Sequence, residues 1–156
     1  MGLDWCVGVY KNEADFRKGN NINPEDLPSE IKTILHVQKW GDDEMGGTCI
    51  PPYRGKCVQY LFSCCLGHEV AELAFGTDHK FDDDTEAPFL TDGGVDVIIT
   101  VLKKIKEMDD VEEEAYEDDW ESWEEICEEC DNAIDWLEKI QKVNTMGVIC
   151  KVHCWY

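Results

Sequence analysis

Cys127 and Cys130 form a C-x-x-C pair in "CEECDNAIDW", in a chain with nine cysteines. Near the C-terminus "CKVHC" adds Cys150, His153 and Cys154. The series Cys127-x2-Cys130-x19-Cys150-x2-His153 falls within the spacing of four-ligand zinc sites. Such a site needs thiolates or imidazoles converging on one tetrahedron. On a terminal strand Cys150 and His153 point to opposite faces, whereas Cys150 and Cys154 share one. The zinc set is therefore Cys127, Cys130, Cys150 and Cys154. The competing role is packing, because Cys127 and Cys130 lie on an apolar helical stripe with Trp123 and Ile134. Thiols bury readily as small hydrophobes, and that is the favoured reading. No cofactor is expected, zinc being the alternative.

Three other groups could do chemistry. Cys64 and Cys65 with His68 offer a thiolate and a base, but adjacent cysteines cannot both face one base on a helix. The acidic loop "DHKFDDDTE" (78–86) offers oxygen ligands to a hard cation. It fails the EF-hand pattern at Ala87, where Gly is needed, and at Gly93, where the closing glutamate belongs. "GTCIPPYRGK" places Arg54 and Lys56 in a chain short of positive charge. With Asp4, Trp5 and Trp155 near the two chain ends, Arg54 could line a pocket for an anionic small ligand. No phosphate-loop, dinucleotide or nucleophile-elbow motif accompanies it. An enzyme is the less expected class.

The formal net charge is −21, and it is unevenly placed. Residues 107–138 hold 17 acids and no Lys or Arg, while the other 124 residues hold 18 acids and 14 bases. Such a field opposes binding to phosphate backbones or to anionic membrane surfaces. It suits a basic partner, or a protein that itself binds nucleic acid and whose cleft the acids occupy as phosphate mimics. Glu121, Glu124, Glu125, Glu128, Asp131 and Asp135 are the candidate interaction face. Solubility alone is the plainer role of such a surface.

These groups must be positioned by a modest set of elements. Leu3, Trp5, Val7 and Val9 alternate with Asp4, Cys6, Gly8 and Tyr10, which predicts a strand. "GVICKVHCWY" alternates likewise and predicts a last strand. Terminal strands often pair. Between them, 11–26 reads as a loop and Pro28 to Trp40 as a helix, with Ile31, Ile34 and Leu35 at helical spacing. Residues 41–55 read as an irregular Gly- and Pro-punctuated arm, and 57–76 as an apolar helical stripe. "TDGGVDVIITVLKKIKEM" predicts a helix capped by Thr91 or Asp92, with Val95, Ile98, Leu102 and Ile105 buried. Its closing lysines suit the helix C-terminus. A long amphipathic helix is predicted from Asp118 to about Val143. Its buried stripe is Trp120, Trp123, Cys127, Cys130, Ile134 and Leu137, and its acids lie on the other side.

"MGLDW" resembles the opening of a group of short, uncharacterised proteins of bacteria, phages and large DNA viruses. "AIDWLEKIQKVNTMGVICKVHCWY" resembles that group's Trp-Leu helix, Gly-containing turn and terminal Trp-Tyr. "YRGK" (53–56) is similar to the aromatic-Arg-Gly stretch of some members. The resemblance covers about a third of the chain, in separated pieces. The acidic block and the cysteines depart from it. It implies a fold and a viral or microbial setting, with no activity to carry over.

The expected architecture is one α+β domain over 1–156. A small mixed or antiparallel sheet includes both terminal strands and packs with three or four helices. No basic leader precedes an apolar stretch, and no run of 18 apolar residues exists. A cytoplasmic, reduced-thiol protein without a membrane span is expected, binding another protein rather than nucleic acid.

Overall fold

The computed structural model describes residues 4–42, 44–55, 94–109, 111–118 and 120–155; the side chains of Ala115, Cys154 and Trp155 lie outside the description. The expectations for 57–76, for the loop 78–86 and for the Thr91 or Asp92 cap fall outside the described residues, as does Lys56.

Alternating apolar residues at the two ends of the chain build one sheet. β1 (Asp4–Tyr10) and β4 (Ile149–Trp155) pair antiparallel, from Asp4 opposite Trp155 to Tyr10 opposite Ile149. This register sets Val7 against Val152 and Val9 against Cys150. A strand's side chains alternate, so Trp5, Val9, Cys150 and Val152 all enter the core from one face. On the other face lies α1 (Glu13–Arg17), a single turn in the segment expected to be a loop. Asn12 caps it, its Oδ1 accepting from the Asp15 N–H at 2.8 Å. The turn is docked by Lys151, which is buried. Its ammonium lies 3.4 Å from the Glu13 carboxylate and 4.8 Å from the centre of the Phe16 ring.

α2 runs over Ser29–Ile34, shorter than the helix expected to reach Trp40. Its end is set by His36, which takes a φ of 54°. The His36 N–H donates to the Thr33 carbonyl at 3.3 Å and the Val37 N–H to the Lys32 carbonyl at 3.0 Å. That is the Schellman closure, with a histidine where glycine is usual. The chain then extends into β2 (Gln38–Trp40), which pairs antiparallel with β3 (Gly47–Cys49). The arm read as irregular is thus a hairpin. Its turn is closed by Asp42, whose Oδ1 accepts from the Met45 N–H at 2.7 Å.

The two long helices follow the sequence pattern. α3 (Gly94–Lys106) buries Val95, Ile98, Ile99, Leu102 and Ile105. α4 (Trp123–Asn144) buries Ile126, Cys130, Ala133, Ile134, Leu137, Ile140 and Val143. Hydrogen bonds join Asp96 to Gln141 at one end of the pair and Lys106 to Asp131 further along, so the helices run antiparallel. α4 begins five residues later than expected. Trp120 is buried, but in the approach to the helix, its N–H donating to the Tyr116 carbonyl at 2.9 Å. Both helices and the β1–β4 sheet share one apolar core, which includes Trp5, Leu102, Leu137 and Val152. Truncating a fully buried leucine such as Leu102 or Leu137 to alanine costs about 2–5 kcal/mol.

Candidate functional site

The acidic surface is organised by the period of α4. Glu124, Glu128, Asp131, Asp135 and Glu138 follow one another at steps of four and three residues, and all five are exposed. At a rise of 1.5 Å per residue they form a straight ridge with one carboxylate every ~5 Å. Alternate steps of three and four keep side chains on one face, opposite the buried Ile126–Cys130–Leu137 side. Among the described residues only Lys106 forms an ion pair with the ridge, at Asp131. That hydrogen bond holds the Lys106 ammonium above its ordinary range. Glu121 is exposed just ahead of the ridge.

Glu125 has a different task. Ser122 caps α4, its Oγ accepting from the Glu125 N–H at 3.2 Å, and the Glu125 carboxylate accepts from the Glu121 N–H at 2.9 Å. This is a capping-box arrangement displaced by one residue, and it leaves Glu125 half-buried. The S-x-x-E spacing of Ser122 and Glu125 was the signal for it.

The residues proposed to surround Arg54 come together only in part. Arg54 Nε lies 3.3 Å from Asp4 Oδ2. Trp5 is fully buried at 0% exposure, so it supports the site from behind and does not line it. Trp155 faces Asp4 across the β1–β4 ladder, and its side chain lies outside the description. In their place the structure supplies Tyr53 and Trp136. Their rings lie 5.6 Å apart, and both stack near Trp5, at 6.4 and 5.9 Å. Tyr53 is fixed by backbone pairing with Trp5, and its hydroxyl donates to the Glu129 carbonyl at 3.3 Å. The "YRG" spacing has a local cause, since a Cβ on Gly55 would stand 2.1 Å from Tyr53 Oη. Only glycine lets the ring lie there.

Beside this aromatic wall is an open cleft of about 140 Å³. Arg54, His36 and Lys139 stand on it, from three separate parts of the chain. Lys139 Nζ lies 3.0 Å from His36 Nε2. An ammonium can only donate, so Nε2 accepts and the ring proton belongs on Nδ1. Trp136 and Lys139 escaped the sequence reading because they flank α4's buried stripe without belonging to it. Their i, i+3 spacing was the available signal.

The cysteines divide by burial. Cys130 is 0% and Cys150 4% exposed, both within the apolar core, and Cys127 is half-buried. Burial pushes the Cys150 thiol up to about 12. Burial and then the neighbouring Cys130 push Cys127 up as well. Raised thiols are poor nucleophiles at neutral pH. Cys154, the fourth member of the proposed zinc set, has its side chain outside the description. Among the described residues, no three His, Cys, Asp or Glu side chains converge in a metal-holding group. No described helix is long and apolar enough to cross a membrane.

Comparison of the chain with family models, with curated proteins and with solved structures found no match.

Proposed function

We propose that this chain is a protein-binding module that presents the α4 carboxylate ridge to a basic partner, one whose own ligand is nucleic acid. The ridge geometry carries this reading: five exposed carboxylates in line at ~5 Å intervals, on a rigid helix held by its own core face. A duplex strand offers one phosphate per ~3.4 Å of axis, so the ridge is a sparser line of the same sign. A cleft built for phosphates meets this surface with matching potential, which speeds association and fixes orientation. In this reading the chain binds and does not catalyse. The terminal resemblance to short microbial and viral proteins agrees with such a role without adding an activity.

The test is affinity capture at low ionic strength with the intact chain and two triple variants. One variant carries Glu124→Gln, Glu128→Gln and Asp135→Asn. The other removes equal charge elsewhere, with Glu25→Gln, Glu30→Gln and Glu44→Gln. The expected result is a basic partner retained by the intact chain and the second variant, lost by the first, and released by salt. Equal capture by both variants, or capture of no basic protein, would sink the reading.

A further inference from the structure

We propose that the cleft between α2, the 50–54 segment and α4 binds a small carboxylate with a flat apolar body. The proposal is independent of the acidic ridge. It starts from two cationic side chains, Arg54 and Lys139, gathered with a histidine in an acidic molecule. Arg54, Lys139 and His36 all stand on one cleft, although the chain has 35 acids against 14 Lys and Arg. Lys139 and His36 contact each other, and among the described residues neither forms an ion pair with a carboxylate. Arg54 engages Asp4 through Nε at 3.3 Å, and its side chain is 74% exposed. The exposed guanidinium presents the fork of donors that suits a carboxylate.

The backbone gives a second observation. His36 holds a φ of 54°, a conformation that costs a non-glycine residue about 1–2 kcal/mol. Glycine would close α2 as well and without that strain. What histidine adds is an imidazole at the cleft, in contact with Lys139. Strain of this kind concentrates where a side chain is used.

Size and lining define the ligand. Ile34, Ile50, Pro52, Tyr53 and Trp136 make the wall apolar, with two aromatic rings in it. A volume of about 140 Å³ matches a single six-membered ring, since a cavity of ~150 Å³ accepts benzene. The oxyanion end is then met by Arg54 and Lys139, and the ring lies against Trp136 and Pro52. His36 holds Lys139 at the rim.

Titration of the ¹⁵N-labelled chain with benzoate tests this, followed by amide and indole N–H resonances. Saturable shifts at His36, Arg54, Lys139 and the Trp136 indole are expected, with a Kd on the order of 1 mM. Benzyl alcohol, of the same shape without the charge, should bind at least about tenfold more weakly. Arg54→Gln and Lys139→Gln should each weaken benzoate about fivefold with the thermal midpoint unchanged. Asp4→Asn should tighten it about twofold, because it releases the Arg54 guanidinium. A merely structural ion pair would not give that gain. Shifts that do not saturate, equal binding of benzyl alcohol, or weaker binding by Asp4→Asn would overturn the site. Inorganic phosphate binding as well as benzoate would overturn the ligand class, by showing that the apolar wall is unused.

Discussion

Trp5 and Tyr53 are joined twice. The N–H of each donates to the carbonyl of the other at 2.9 Å, and their rings lie 6.4 Å apart. The bridge adds a short second pairing to β1, beside the one with β4, and hangs the 50–55 segment on the core. Tyr53 then reaches α4 through Glu129, so one residue ties strand, arm and helix.

Gly55 is the weak point of that tie. Gly55→Ala places a methyl 2.1 Å from Tyr53 Oη and 2.3 Å from its Cζ, so the ring must move. The expected loss is about 1–3 kcal/mol, as for other overpacked sites. Tyr53→Phe keeps the ring and loses one long hydrogen bond, so it should cost only about 0.5–1 kcal/mol. Urea unfolding of Gly55→Ala, Tyr53→Phe, Tyr53→Ala and the double variant Gly55→Ala with Tyr53→Ala checks this. The pair should fall short of additivity, because Tyr53→Ala removes the atoms the methyl would meet.

His36 sets a second test. His36→Gly removes the strain of positive φ but adds freedom to the unfolded chain, for a net gain between zero and about 1 kcal/mol. His36→Val places a β-branched side chain in the left-handed region and should lose about 1–2 kcal/mol. Thermal melts of the two variants should therefore move in opposite directions, or leave the first unmoved.

Cys150 makes stability fall at alkaline pH. Its thiol rises from 9.0 to about 12 on folding, so the folded state holds the proton more tightly than the unfolded chain. The stability this represents is fully present below pH 9 and is lost progressively between pH 9 and about 12. Cys150→Ala should flatten that part of the stability curve. In the intact chain, native alkylation at pH 8 should spare Cys150 and proceed slowly at Cys127, as mass spectrometry of the labelled protein would show.

Helix capping separates structural acids from ridge acids. Ser122→Ala should cost about 1 kcal/mol by losing the cap of α4. Glu125→Ala should also destabilise, while Glu128→Gln, on the exposed ridge, should change stability by less than about 0.5 kcal/mol. Chemical denaturation of the three variants gives the order directly.

The pairing of the terminal strands, α3 and the core face of α4 were legible because each repeats its apolar residues at a period that only one element satisfies. Trp5, Val9, Cys150 and Val152 alternate; Val95, Ile98, Leu102 and Ile105 step by three and four. The β2–β3 hairpin was hidden for the opposite reason. Its strands are three residues long, β2 is exposed throughout, and Trp40 is 55% exposed, so no alternation marks them. The end of α2 was misread because the left-handed residue is His36, while Gly41 five positions on offered a more familiar stop. Trp120 fitted the helical stripe by spacing, yet reaches the core from a turn before the helix begins. The acidic ridge was visible in the sequence, except that Glu125 belongs to the cap. The cleft was half visible. Arg54 stood out by charge, whereas Lys139, Trp136 and His36 reach it only through the packing of α4 and α2.

The β1–β4 ladder also sets a schedule for the nascent chain. β1 is made some 140 residues before its partner β4. At 5–20 residues per second, Trp5 and Val9 wait about 7–30 s for the strand that covers them. β1 is thus made long before it is covered, and until then its unpaired edge is open to a chaperone or to a neighbouring chain.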